Sequence, residues 1–230
     1  MKKIDWYLVF LFVIFIAFWV WAAINPRYQA DWLLENYLVF IFVPIILLLS
    51  YFIRFSRISY TLITVFMILH VIASHYTYGE VPLGYFLQDW FGASRNMYDR
   101  LVHFSFGFLL AYPIREFFMR VGNARGFWAY WFPAELTLAF SAIYEIIEWL
   151  TTANVDPSSG LAFLGAQGDM WDTQKDMLAA GIGAIVAMVI TGIINRILKR
   201  DFAEDFVSSL RVNKQKLGEV ELRRMIHTRN

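Results

Sequence analysis

The sequence contains no cysteine. Disulfide staples, thiolate metal sites and cysteine nucleophiles are therefore excluded, and redox compartment cannot be read from thiol usage. Charge is also scarce. Asp, Glu, Lys and Arg make up 17% of 230 residues, and the net charge is +1. No field of Lys and Arg is present to track a phosphate backbone, so a nucleic-acid partner is not expected. Internal repeats and low-complexity tracts are absent too.

What fills the chain instead is apolar. Hydrophobic residues reach 59% and aromatic residues 19%, well above a soluble domain. The few charges are clumped between long uncharged runs, the pattern of a chain that spends its length crossing a bilayer. A spanning helix needs about 20 apolar residues. Runs of that kind are Trp6–Ile24, Tyr37–Ile53, Tyr60–Tyr76, Leu101–Phe118, Phe127–Leu150 and Met177–Leu198. Met1-Lys2-Lys3 before the first run suggests a signal peptide, but no small-residue cleavage site follows at the right distance, so the run reads as a retained helix. The expected fold is all-α: a polytopic membrane bundle of six helices within residues 1–200, followed by a cytoplasmic tail over 201–230.

Orientation follows from Lys and Arg in the short loops. Lys2, Lys3, Arg54, Arg57, Arg115, Arg120, Arg125 and the tail from Lys199 fall on one side, which predicts both termini inside. Two outer segments are more than plain loops. Residues 82–92 set Leu83, Phe86, Leu87, Trp90 and Phe91 on one helical stripe, too short to span, which predicts a helix lying in the interface. The outer loop 151–175 holds Leu161-Ala162-Phe163-Leu164, which is expected to dip back toward the membrane.

Ionisable residues within spans are costly and by default mark function. Here they gather at the outer ends of the runs. The third run brings His70 and His75 outward. The fourth opens with Asp99, Arg100 and His103, and Asp99 and His103 share a face at i, i+4. The fifth ends with Glu145 and Glu148. The sixth is preceded by Asp169 and Asp172, and Asp176 shares their face if the helix starts early. Acids outnumber Arg95, Arg100 and Lys175 at that depth. Crowded carboxylates repel unless one is protonated or a cation sits between them. Imidazole with carboxylate suits Zn, Mn or Fe, with His75, Asp99, His103, Glu145, Glu148 and Asp169 as the expected metal ligands. Glu148, Asp172 and Arg100 are the expected catalytic groups, a carboxylate acting as general base and Arg100 binding an anionic group. The bland alternative is a network of salt bridges pinning the helix ends, with Asp169 or Asp172 as a helix cap. Glu135 stands apart, either paired with Arg115 or Arg120 or serving as a proton step.

Several motifs occur in one order: His75-Tyr76-Thr77-Tyr78 with Val81-Pro82, Asn96-Met97-Tyr98-Asp99-Arg100 with His103, Arg115-Glu116, Tyr144-Glu145 with Glu148-Trp149, and Gln167-Gly168-Asp169-Met170-Trp171-Asp172. Together they resemble the YjdF-like family of uncharacterised bacterial inner-membrane proteins. Asp99-Arg100 with His103 is more distantly similar to VanZ-like membrane proteins. The resemblance implies a multi-pass protein of the bacterial inner membrane and supplies no reaction. Three functions remain open: a metal-dependent hydrolase of a lipid or lipid-linked envelope substrate, an ion- or proton-coupled transporter or channel, and a non-catalytic lipid-binding protein. The lipid bilayer is the expected partner in each.

Overall fold

The computed structural model describes residues 5–154, 167–198 and 202–211, with side chains from Phe206 in the last segment. The described residues are helical throughout, without a strand. In chain order the helices are α1 (Trp6–Ala23), α2 (Gln29–Phe52), α3 (Arg57–Tyr76), a 3-10 turn at Tyr78–Glu80, α4 (Pro82–Phe91), α5 (Tyr98–Val121), α6 (Trp128–Asn154), α7 (Asp172–Ile197) and α8 (Phe202–Ser209). The expected dip at Leu161–Leu164, the basic start Met1–Lys3 and the tail beyond residue 211 lie outside the described residues.

Local chemistry explains the boundaries. Asp5 caps α1 by accepting from the Tyr7 amide, and Ser56 caps α3 by accepting from the Ser59 amide. Pro82 opens α4, where its missing N–H costs nothing, and Gly92 closes it in the left-handed conformation. α2 starts at Gln29, eight residues before the apolar run that predicts it. Among the described residues, four helices are long and apolar enough to cross a membrane: α1, α2, α3 and α7. α5 and α6 are as long, at 24 and 27 residues, but carry the ionisable residues discussed above. α4 is a ten-residue helix packed on the start of α5, with Leu83, Phe86, Trp90 and Phe91 exposed on an apolar face.

α5 is the axis of the bundle, packed against α3, α6 and α7. One core, around Phe15, Ile63, Phe66, Val71 and Val102, joins α1, α3 and α5. A second joins α5 to α7 through Ala111, Ala184 and Met188. At this second interface the backbones nearly touch. A Cβ on Gly107 would sit 1.8 Å from the Ala180 carbonyl oxygen, and one on Gly183 would sit 2.2 Å from that of Phe104. Small residues allow such approach in membrane helices.

At one end of the bundle Glu116 of α5 clasps α3. Its carboxylate accepts the Ser56 amide at 2.9 Å and the Ser59 hydroxyl at 2.5 Å, and pairs with Arg120 at 2.6 Å. At that end Arg115 stacks on Tyr130 at 4.6 Å. The two arginines are thus placed without Glu135, and the pairing expected for it is not formed. The opposite end holds the polar site.

Candidate functional site

Helical spacing builds this site from four-residue steps. Arg95 precedes α5, and Asp99 and His103 follow it at intervals of four along its first turns. Asp172 and Asp176 stand four apart at the start of α7. Glu145 and Glu148 stand three apart in the last turns of α6. The three helix ends meet, and all seven of these side chains are buried at 7% exposure or less, with the partly exposed Arg100 between them.

Two guanidinium groups knit the acids together. Arg95 bonds Asp99 at 3.1 Å and also bonds Asp172. Arg100 donates to Asp172 Oδ1 at 2.7 Å and to its carbonyl at 3.1 Å. It also lies 2.7 Å from Asp176 Oδ1, off the hydrogen-bond direction, so that oxygen is charge-compensated without an aligned donor. His103 Nε2 faces Asp99 Oδ1 at 3.6 Å and Glu145 Oε1 at 3.5 Å. Its Nδ1 lies 3.4 Å from the Ser141 hydroxyl. Glu145 Oε1 is buried without a hydrogen-bond donor. Ligand atoms of Asp99, His103 and Asp176 all fall within 4.8 Å of one another. Ligands about 2.0–2.2 Å from a metal lie at most about 4.4 Å apart, so a contraction of a few tenths of an ångström would close the three around an ion. Five buried carboxylates (Asp99, Glu145, Glu148, Asp172, Asp176) face two guanidinium groups.

The structure brings together Asp99, His103, Glu145 and Glu148 and leaves two expected ligands outside. His75 is held elsewhere: its Nδ1 lies 3.2 Å from the Ala22 carbonyl and its ring stacks on Trp21 at 4.5 Å. Asp169 precedes α7 and pairs with Lys175 at 2.6 Å, with Arg100 farther off at 3.8 Å. The Lys175 side chain, with the Trp171 amide, holds the Asp169 carboxyl below the usual carboxylate range. Asp172 and Arg100 are bound to one another. Asp176, outside the expected ligand set, lies with Asp99 and His103 instead.

The acids of α2 are missed by the apolar-run reading. Asp31, Glu35 and Asn36 are buried at 4%, 2% and 0% exposure. Glu35 accepts from the Tyr144 hydroxyl at 3.4 Å, and Tyr144 in turn packs its ring edgewise on His103. The Glu35 carbonyl lies 3.0 Å from His70 Nε2, and His70 Nδ1 lies 2.6 Å from the Tyr78 hydroxyl. A carbonyl can only accept, so Nε2 carries the proton and Nδ1 accepts from tyrosine. His70 is thus a satisfied, neutral core histidine. The four-residue step Asp31, Glu35, Val39 marks the buried face of α2 and is the signal that would have found these acids.

A family model described as a predicted membrane protein, DUF2238, matches residues 7–196. The inner membrane protein YjdF of Escherichia coli (strain K12) is similar, at 36% identity over 171 residues, which covers 74% of this chain and 81% of that protein. No solved structure matches. Together with the long apolar helices, these findings make the chain a multi-pass helical protein of the bacterial inner membrane.

Proposed function

We propose that this chain, which belongs to the DUF2238 family of predicted membrane proteins, crosses the membrane six times with both termini inside and carries a divalent-metal hydrolase site at its outer face. The substrate class is a phosphate ester on a lipid or lipid-linked envelope precursor, since an outer-face site on this topology would lie at headgroup depth. The carrying observation is the buried trio Asp99, His103 and Asp176 within 4.8 Å, flanked by Glu145 Oε1 and Asp176 Oδ1 without aligned donors. Buried carboxylates in such excess need cations or protons to exist side by side. Zn, Mn or Fe(II) suits the mixed nitrogen and oxygen donors.

In this reading Asp99, His103 and Asp176 would hold the ion, with Glu145 beside them. Ser141 would accept from His103 Nδ1–H, leaving Nε2 free as the ligand atom. The ion would supply an acidified water. Glu148, buried and without a guanidinium partner among the described residues, would accept a proton from that water and return it to the departing alcohol as a bond from phosphorus to the water oxygen replaces the ester P–O bond. Arg95 and Arg100 hold the frame through Asp172.

Metal content tests this directly. Purified protein equilibrated separately with Zn, Mn or Fe(II) should retain one of these near one equivalent after desalting, and His103→Ala and Asp176→Asn should lose it. Wild-type protein that retains none of the three sinks the hydrolase reading. The second reading, an ion- or proton-coupled transporter, draws support from Glu35 and Asp31 buried on α2. Proton flux in liposomes that is lost in Glu35→Gln would favour it. Because the chain lacks cysteine, single Met170→Cys and Phe52→Cys variants test orientation, with only the first expected to react with an impermeant maleimide outside.

A further inference from the structure

A groove of about 600 Å3 runs between α1, α3 and α4, apart from the carboxylate cluster. Phe18, Trp21, Leu69, Ile72, Leu83 and Tyr98 line it. Tyr98 forms its floor, and its one polar atom is spent on the Leu69 carbonyl at 2.9 Å. The floor is therefore apolar throughout. Phe18, Trp21 and Leu83 on the walls remain exposed. From Leu69 to Tyr76 the groove follows α3 for about 10 Å at 1.5 Å per residue, the shape of a slot for an aliphatic chain rather than a compact solute.

The mouth of this slot is charged. It lies where α1 and α3 end, beside the Trp21–His75 stack. The His75 carbonyl accepts the Arg27 amide at 2.9 Å, and Arg27 Nε meets Glu80 Oε2 at 2.5 Å. Arg27 and Glu80 are 54% and 30% exposed, so a cation and an anion stand side by side at the surface; Glu80 Oε2 is covered by the pair and Oε1 accepts from the Tyr28 hydroxyl at 3.5 Å. Glu80 immediately precedes the groove residues Val81 and Pro82. A head bearing only negative charge would meet Glu80 unfavourably. A head bearing phosphate and ammonium matches both partners, with the Trp21 ring as an added face for the cation.

We infer that this groove binds one acyl chain of a zwitterionic phospholipid, its phosphate on Arg27 and its ammonium on Glu80. The site rests on the membrane reading of the chain and not on the metal. Its probe is a phosphatidylethanolamine carrying a diazirine in one acyl chain, photolysed with the full chain in nanodiscs and mapped by peptide mass. Labelling should concentrate on the Phe18–Trp21, Leu69–Ile72 and Leu83 peptides, severalfold above the lipid-facing α7 positions Ile185 and Ile193. Unlabelled phosphatidylethanolamine should compete, and phosphatidylglycerol should compete about tenfold less well. Ile72→Trp, or Leu83→Trp on the exposed α4 face should the first fail to fold, fills the slot and should abolish the concentration of label. Glu80→Gln should erase the preference between the two competitors. Uniform labelling of α1 and α7, or equal competition by both lipids in wild type, overturns the inference. Metal content should be unchanged in all of these variants, so failure here leaves the metal reading standing.

Discussion

Replacing Gly107 by alanine adds one carbon to α5, and the structure says where it goes. The new Cβ would lie 1.8 Å from the Ala180 carbonyl oxygen and 2.8 Å from the Ala184 nitrogen, whereas ordinary contact begins at 3.4 Å. Both obstacles are backbone, so no rotamer change relieves them. α5 and α7 must separate by about the shortfall of 1.6 Å at the first contact. Overpacking of this kind costs about 1–3 kcal/mol, which for a chain of this size lowers the melting temperature by roughly 2–12 °C. The separation also acts at a distance, because α5 carries Asp99 and His103 while α7 carries Asp176. Ligand atoms now within 4.8 Å would be drawn apart, and metal affinity should fall with stability. Gly181→Ala is the internal control. Its Cβ would meet only a Leu138 methyl at 3.7 Å, and alanine favours helix over glycine by about 1 kcal/mol. Thermal unfolding in detergent followed by tryptophan fluorescence, with calorimetric titration of zinc or manganese, compares the two. Equal melting temperatures for Gly107→Ala and Gly181→Ala would refute the close α5–α7 contact.

Thr77 is a buried, β-branched residue at φ 63, ψ 145, in backbone space that glycine alone occupies freely. Thr77→Gly relieves about 1–3 kcal/mol of strain against about 1 kcal/mol of added chain entropy, so its melting temperature should rise, and a fall would count against the conformation. Glu35 is buried with Tyr144 as its hydrogen-bond donor. Glu35→Gln keeps an acceptor and cannot ionise, so unfolding should be unchanged or later, whereas Glu35→Ala should unfold earlier by about 1–3 kcal/mol for the tyrosine hydroxyl it strands. Asp169 is held below the usual carboxylate range by Lys175. A depressed carboxyl contributes stability above its unfolded value of about 3.9 and loses it as pH falls through the folded value. The stability gap between wild type and Lys175→Met should therefore be constant from about pH 5 to 8 and close on further acidification; a gap that widens in acid contradicts the pairing.

Helix content, the short amphipathic α4 and the face shared by Asp99 and His103 were legible in the sequence, because each rests on hydrophobic or polar periodicity within one helix. What was not legible depends on two helices at once. His75 carries the right chemistry for a ligand, but α1 ends beside it and offers the Ala22 carbonyl and the Trp21 ring first. Asp172 reads as a free acid until Arg95 and Arg100 close on it from α5 and the turn before it. The start of α2 was hidden for another reason. Asp31 and Glu35 interrupt the apolar run, so a rule that waits for uninterrupted apolar residues begins the helix at Tyr37 and drops two buried acids from consideration. Asp176 gains its place only from the close approach at Gly107 and Gly183, which sets the depth at which α7 meets α5.

The Glu116 clasp gives the bundle a fulcrum. It binds α3 to α5 at the end remote from the polar site through the Ser56 amide and the Ser59 hydroxyl. α3 is 20 residues long, a lever of about 30 Å, so a tilt of about 5° at the clasp sweeps its far end through roughly 3 Å. That end carries His75, the Thr77 turn and one wall of the acyl groove. A lipid entering or leaving the groove therefore has leverage on the helix that borders it, while the pinned end stays still.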